Sequence, residues 1–342
     1  MTLLNALIRK RRSAPNGLVT VMGAINWDVS IFEESFGGLG EEVPVREVEE
    51  YSGGKGANAA VAAARILGPG RSAFIGALGA DDIARTQVRL LRKEGVLTEG
   101  VVVIGGSRSG MAYILVNREG RKSIHTHFGA NSLLRPEHLD RAGPSRVLSR
   151  TSSLVVMDSP TEVALAAVHR AKETGTSVIY SPGVRVREGR ASLDEIISSA
   201  EVLVLDRAEV ARLSGEPDIT VASEILRHGS PGLSVVATSG KGGCVVATKG
   251  GTTRLPGVDL SSLNLKAVNS TGSGDSFLGV LASCLDMGEN LVEAARWANL
   301  AGALKATRYE TRGSPTRARL QEVMMRVSKS PLRARRTTAG GA

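Results

Sequence analysis

The chain has 342 residues, of which 42% are hydrophobic and 23% charged, an ordinary balance for a soluble globular protein with a sizeable core. Its formal charge of +9 sits mostly at the two ends, where Arg9, Lys10, Arg11 and Arg12 and then Lys329, Arg333, Arg335 and Arg336 meet no acid within 1–14 or 328–342. The body is therefore almost neutral, which excludes nucleic-acid binding as the main activity and predicts solvated, flexible basic tails.

Leu18 to Gly23 reads as a buried first strand ending in a glycine turn, with Asn26 and Asp28 just beyond its carboxyl end. Open α/β sheets bind ligands at such ends. Residues 31–50 are glycine-rich and then alternate, with Val43, Val45 and Val48, as strands of a small separate sheet would. Ser52-Gly53-Gly54-Lys55-Gly56-Ala57-Asn58 opens an alanine-rich helix, Ala59 to Leu67. This is not a P-loop, because Gly56 rather than Ser or Thr follows Lys55; a plain glycine entry to a packed helix is the simpler account. Ala73 to Leu78 is another buried strand, and Asp81-Asp82 starts a helix through Arg92. Gly110 to Asn117 and Lys122 to Phe128 form a hairpin around Arg118-Glu119-Gly120. His125 and His127 lie on it without a Cys or carboxylate cluster, so no metal site is expected there.

Beyond residue 150 the alternation is regular. Strands are expected at Leu154–Met157 (ending at Asp158), Ser177–Tyr180, Val202–Leu205 (ending at Asp206) and Val235–Thr238. Helices are expected at Glu162–Thr174, Leu193–Ser199 and Ser223–His228, with Glu209 one helical turn past Asp206. Ser239-Gly240-Lys241-Gly242-Gly243 leads into a hairpin, Cys244–Thr248 and Thr252–Leu255, and a long helix covers Asn290 to Ala306. Such alternation implies a parallel sheet covered on both faces.

The organising stretch is Asn269-Ser270-Thr271-Gly272-Ser273-Gly274-Asp275-Ser276-Phe277, reached by an extended apolar approach, Leu265 to Val268, and followed by a helix-like run, Ser276 to Leu285. Its glycines allow a tight turn, and the free amides of the helix start favour an anion. Asp275 in the same turn could take a proton from an attacking hydroxyl. Amides for a developing phosphate plus one base make a phosphotransferase site; an ordinary glycine turn with an Asp cap is the plain alternative.

No apolar run is long enough to cross a membrane, and the amino-terminal residues place apolar before basic, the reverse of a secretory signal. Cys244 and Cys284 are far apart and outside metal spacing. Reduced thiols, a cytoplasmic location and no membrane partner are expected. Glutamine is confined to Gln87 and Gln321 while arginine is abundant, a bias toward a thermophilic source or a GC-rich genome.

The two glycine motifs, one early and one late, with this spacing and a strand-lid insertion, closely resemble the ribokinase-like carbohydrate kinase family, also called the phosphofructokinase-B type, over about residues 18–325. The resemblance implies one α/β domain at 15–327: a doubly wound, mostly parallel sheet flanked by helices, with a small β-sheet lid at about 31–50 and 108–128 that closes over sugar and forms a homodimer contact. It implies transfer of the γ-phosphate of ATP to a sugar hydroxymethyl group, with magnesium. Asp275 resembles the catalytic base, and Gly272, Ser273 and Gly274 the anion hole. Asn26, Asp28, Gly54, Lys55 and Asn58 match sugar-binding positions, and Asp158 falls where the family places a sugar-binding glutamate. Asp206 and Glu209 match an Asn-x-x-Glu element that organises magnesium and phosphates. Thr238, Ser239, Gly240, Lys241 and Gly243 match the ATP loop, and Asn299 a position near the adenine.

Three departures stand out. The late motif starts with Asn269 where Asp is usual and helps bind a monovalent cation in potassium-activated members. The later loop that completes that cation site, usually Gly-Ala, is Arg308-Tyr309-Glu310-Thr311-Arg312-Gly313-Ser314. Weak or absent potassium activation is therefore expected. Asp206 in place of Asn should preserve or increase metal attraction.

Among acceptors, Gly53 to Asn58 and His127 to Asn131 look most like the ribose-phosphorylating members of that family, a resemblance that implies D-ribose. A 6-phosphofructokinase would need cations for a second phosphate, which Arg108, Arg121, Lys122, His125 and His127 could supply. A nucleoside kinase would need an apolar slot, for which Trp27, Phe36 and Phe128 are candidates. A non-catalytic sugar or nucleotide sensor on the same fold is a remoter reading, and a nicotinamide dehydrogenase lacks its glycine turn after the first strand.

Overall fold

A computed structural model of the protein describes residues 17–329; the expected tail at 1–14, and all but the first two residues of that at 328–342, lie outside the described residues. In chain order the first half comprises β1 (Leu18–Gly23), β2 (Asn26–Glu33), β3 (Val45–Gly53), α1 (Lys55–Leu67), β4 (Ser72–Gly79), α2 (Asp82–Lys93), β5 (Val96–Ile104), β6 (Gly110–Val116) and β7 (Lys122–His127). Then follow α3 (Ala142–Leu148), β8 (Thr151–Met157), α4 (Thr161–Thr174), β9 (Ser177–Ser181), α5 (Arg190–Ser199), β10 (Val202–Asp206), α6 (Arg207–Ser214) and α7 (Ile219–His228). The chain continues with β11 (Ser234–Thr238), β12 (Cys244–Thr248), β13 (Gly251–Leu255), α8 (Ser273–Asp286), α9 (Leu291–Lys305) and α10 (Arg317–Lys329).

The large sheet has the order β13-β12-β11-β10-β9-β8-β1-β4-β5, parallel from β11 to β5, with an antiparallel hairpin, β12 and β13, at one edge. β1 shows why it is covered twice. Val19 and Val21 pack with α1, α2, α8, α9 and α10, while Leu18 and Met22 pack with α3 to α7. Strand alternation sends successive side chains to opposite layers, and both layers are apolar. The fold is thus the doubly wound α/β arrangement expected.

The small sheet has the order β3-β2-β6-β7. It begins at Asn26 and reaches Gly53, so it is longer than the expected 31–50 and draws the residues after β1 into its own first strand. β5 was not foreseen, because Thr98, Glu99 and Gly100 interrupt its apolar pattern; it survives as the sheet edge beside β4. Leu265 to Val268 is no strand: the Val268 and Asn269 amides both donate to Ala306 O, which ties this approach to the end of α9 instead.

Close packing of α1 on α8 positions the chemistry. A Cβ at Gly279 would meet Ala59 O at 2.3 Å, so glycine on one helix and alanines on the other let the backbones approach. That approach carries Asn58, in the first turn of α1, onto the first turn of α8.

Candidate active site

From β1 the chain passes to β4 and β5 on one side and later to β8 on the other. The carboxyl ends of β1 and β8 therefore part at the switch point of the sheet, where this architecture binds ligands. A cavity of about 140 Å3 lies there, lined among others by Lys55, Asp158, Gly183, Asp206, Glu209, Thr238, Gly274 and Asp275. A larger cavity of about 290 Å3 opens at the opposite, amino-terminal strand ends, around Asp140, Thr151, Arg170 and Thr176, and holds none of the predicted site residues.

Gly272 turns the chain into α8 at φ 83°, a left-handed conformation that costs glycine least, and a Cβ there would meet Thr311 O at 2.1 Å. The position admits only glycine on both counts. An added Cβ at Gly274 would meet nothing within 4 Å, so the backbone can be approached there. Ser273 Oγ is buried and has no hydrogen-bond partner among the described residues. Asp275 is buried, and its Oδ2 accepts from Asn58 Nδ2 at 2.9 Å. Burial raises its pKa to about 6, against the Asn58 hydrogen bond and the Lys55 charge, which act the other way. Such a carboxyl is poised near neutrality.

Lys55 Nζ pairs with Asp158 Oδ2 at 2.7 Å, and this pairing holds the ammonium above its ordinary pKa although burial pulls it down. Asp158 directly follows β8 at φ 50°, strained for a residue with a Cβ. Its Oδ1 accepts from Val184 N at 2.9 Å, and a Cβ at Gly183 would strike that oxygen. The carboxylate is thus held from both ends. Asp28, on β2, is also buried; burial pushes its pKa up to about 7, offset in part by a Thr311 hydrogen bond and the Arg312 charge. Asn26 is fixed by Asn131, whose Nδ2 donates to Asn26 Oδ1 at 2.9 Å. Gly54, at φ 89°, lies so close to Ile25 and Asn26 that no side chain fits.

On the other side of the cleft, Asp206 and Glu209 cap α6 reciprocally: Asp206 Oδ1 accepts from Glu209 N at 2.8 Å, and Asp206 N donates to Glu209 Oε2 at 2.9 Å. Burial, with Asp206 and Asp158 nearby, raises Glu209 to about 7. Thr238 follows on the neighbouring strand, and Ser239 to Gly243 forms a tight turn in which a Cβ at Gly243 would meet Leu255 O. Asn299 Nδ2 donates to Pro256 O at 2.8 Å and so anchors the chain behind that turn.

Of the expected residues, Lys55, Asp158, Asp206, Glu209, Thr238, Gly274 and Asp275 line one crevice, and Asn58 and Asp28 adjoin Asp275; the remaining expected residues lie outside that lining. Four participants were not foreseen, and a fifth, Lys122, was expected only as a candidate phosphate-binding cation of the lid. Arg312 is buried and donates to Asn58 Oδ1, Gly53 O and Gln87 Oε1. Thr311 bonds Asp28. Lys305 is fully buried under the glycine turn. Lys122 reaches from β7 to Asn269 Oδ1 at 2.6 Å and Thr271 Oγ1 at 2.8 Å, joining the small sheet to the anion turn. Arg207 donates to Ser239 Oγ. Their positions come from tertiary packing of loops; only the oddity of the Arg308–Ser314 loop marked two of them in the sequence.

Register places the other cations of the small sheet. Asp28, Ala112 and Thr126 share the face towards the cleft, whereas Met111, Tyr113, His125 and His127 share the opposite face. Arg121 is paired with Glu119 at the hairpin turn.

The pfkB family carbohydrate kinase profile matches residues 16–318. The chain is 28% identical to a ribokinase of Haemophilus influenzae over 90% of its own length and 98% of that protein. It is 30% identical to a probable fructokinase of Arabidopsis thaliana, over 81% of this chain and 89% of the relative. A crystal structure of ribokinase from Thermotoga maritima superposes with a TM-score of 0.79 and 27% identity, covering 90% of this chain and 99% of that one. With its fold, its glycine turns and these likenesses in agreement, the chain belongs to the pfkB family of carbohydrate kinases and is an ATP-dependent sugar kinase.

Proposed function

We propose that this kinase transfers the γ-phosphoryl group of ATP to the hydroxymethyl group of a free pentose, D-ribose first. The observation that carries this is the placement of Asp275, whose pKa burial raises to about 6, beside the amides of Gly272, Ser273 and Gly274 and in one cavity with Lys55 and Asp158. Asp275 takes the proton of the attacking hydroxyl while the turn holds the transferring phosphoryl, a reaction that needs positioning and charge neutralisation above all. Asn26, Asp28, Gly54, Lys55, Asn58 and Asp158 hold the sugar. Thr238, Ser239, Gly240, Lys241, Gly243 and Asn299 hold the nucleotide.

Magnesium fits this site in the way it suits phosphates. Among the described residues no cluster of three or more His, Cys, Asp or Glu could cage a metal. Asp206 and Glu209 instead offer two carboxyl groups at the start of α6, with the Lys55 charge acting on Glu209. A magnesium ion held largely by phosphate oxygens needs only one or two such carboxylates, and when bound it supplies neutralisation of phosphate charge.

A free pentose is favoured over a sugar phosphate because the acceptor side of the cleft is lined by Asp28 and Asp158, poor neighbours for a second phosphate. Of the lid cations, His125 and His127 lie on the far face, Arg121 is paired with Glu119 and Lys122 is bound to the anion turn, which leaves Arg108 alone to offset them. The ribokinase relatives agree with ribose; the fructokinase relative keeps fructose in view. Steady-state kinetics with D-ribose, fructose, fructose 6-phosphate and cytidine, at one ATP and magnesium concentration, test it. D-ribose is expected to give the highest kcat/KM, and Asp28→Ala to raise the sugar KM far more than the ATP KM. Fructose 6-phosphate ahead by about tenfold would move specificity to the lid.

The far face of the small sheet also exposes Val48 and Tyr113. A homodimer through this face covers them. Val48→Asp is expected to shift a dimer towards monomer in analytical ultracentrifugation; an unchanged mass would place any interface elsewhere. Among the described residues no helix is long and apolar enough to cross a membrane, and the two free cysteines are buried.

A further inference from the structure

A lysine is seldom removed from water completely unless an acid meets it. Lys305 is 0% exposed, yet its ammonium is held by carbonyl oxygens: Nζ donates to Asn269 O at 2.9 Å and to Arg308 O at 3.3 Å. Asp275 and Glu310 act on it as charges without hydrogen-bonding it, while Lys122 opposes it. Burial pushes its pKa down to about 8, which leaves it cationic at neutral pH.

The location gives this cation its meaning. Lys305 closes α9, where a helix end favours positive charge. Its side chain lies under the anion turn, since a Cβ at Gly272 would stand 3.5 Å from Lys305 Cε. The two carbonyls it joins belong to different loops, one leading into Gly272–Asp275 and the other leading to Thr311 and Arg312. The same loops are laced by Asn269 Nδ2 donating to Tyr309 O and by the Val268 and Asn269 amides donating to Ala306 O. A positive centre gripped by backbone carbonyls of converging loops is the arrangement by which proteins replace the hydration shell of an alkali-metal ion.

We propose that the Lys305 ammonium is a built-in cation: a positioning residue that fixes the turn at Gly272–Asp275 against the loop at 308–312, so that turnover needs no dissolved alkali-metal ion. Being tethered, it cannot dissociate, and it adds positive potential beneath the amides that meet the phosphoryl group. The inference deepens the phosphotransfer reading and rests on it.

The test has two arms. In the first, ADP release by the wild type is measured with potassium, sodium or tetramethylammonium as the only monovalent cation. Rates within about twofold of one another are expected; activation by potassium of about tenfold or more overturns the proposal. In the second, Lys305→Ala vacates the carbonyl pair. It is expected to lose about 10²-fold in kcat, with little change in the sugar KM, and potassium is expected to restore a substantial part of that loss. A folded Lys305→Ala enzyme with wild-type kcat in tetramethylammonium, or one whose loss potassium leaves untouched, overturns it. Melting temperatures in the same salts read the site without turnover: potassium should stabilise Lys305→Ala and leave the wild type unchanged, and equal shifts in both proteins would count against the proposal. Failure of the phosphotransfer reading looks different, since the wild type would then release no ADP in any salt.

Discussion

Asp275→Asn is expected to lower kcat by about 10²–10⁴ while leaving fold and ATP binding intact. The side chain is buried in the first turn of α8, and its one strong hydrogen bond comes from Asn58 Nδ2. An asparagine has nearly the same shape and still presents a carbonyl oxygen to that donor, so little packing is lost. What disappears is the site that accepts a proton. Because burial raises the carboxyl to about 6, the wild type should show an acid limb in kcat/KM. The base works as carboxylate, so activity is full above that value and falls about tenfold per pH unit below it. The residual activity of Asp275→Asn should lack this limb. Steady-state rates from pH 5 to pH 8, with a thermal melt as a control for folding, decide the matter. Turnover within tenfold of the wild type would reject Asp275 as the base.

Much of this site was legible because its chemistry sits on short local motifs. The glycines at 272 and 274 with Asp275, and the Gly53 to Asn58 run, each combine a backbone need with a functional side chain inside one helix start. Strand ends also announce themselves, so Asp158 and Asp206 could be placed at the carboxyl edge of the sheet from alternation alone. Other features depend on pairs far apart in sequence. Asn58 meets Asp275 across 217 residues, and Arg312 meets Asn58 across 254. Nothing in the pattern near Arg312 or Lys305 distinguishes a buried cation from a solvated one, since basic residues are ordinarily exposed. The lid was misjudged in extent for a related reason. Asn26 and Asp28 follow a buried strand so closely that they read as its end, whereas they open the first strand of the second sheet. The same register that moves them there turns His125 and His127 away from the cleft, a distinction of one residue that composition does not carry.

Arg312→Met should cost about 3–5 kcal/mol of folding stability, the range for removing one partner from a buried charged network. The guanidinium is 7% exposed and serves three acceptors from three segments: Gly53 O at 2.9 Å, Gln87 Oε1 at 3.2 Å and Asn58 Oδ1 at 3.2 Å. Methionine fills much of the volume and answers none of them. Its charge also lowers the pKa of Asp28, which burial has already raised to about 7. Without it that carboxyl rises further and is increasingly protonated at neutral pH, which softens the loss under mildly acidic conditions. The sign follows from linkage. The folded variant would hold its Asp28 proton at higher pH than the folded wild type, so its stability declines more steeply as pH rises through 7. The difference between the two proteins should therefore be larger at pH 8.5 than at pH 6. Arg312→Lys should fall between, since one compact ammonium cannot span three acceptors set out for a planar fork. Because Asn58 and Asp28 lose support together, the sugar KM should rise in the folded fraction while the ATP KM holds. Chemical denaturation at the two pH values is the measurement. A stability change under about 1 kcal/mol, or a gap between the proteins that narrows with rising pH, would show that Arg312 does not organise the sugar side of the cleft.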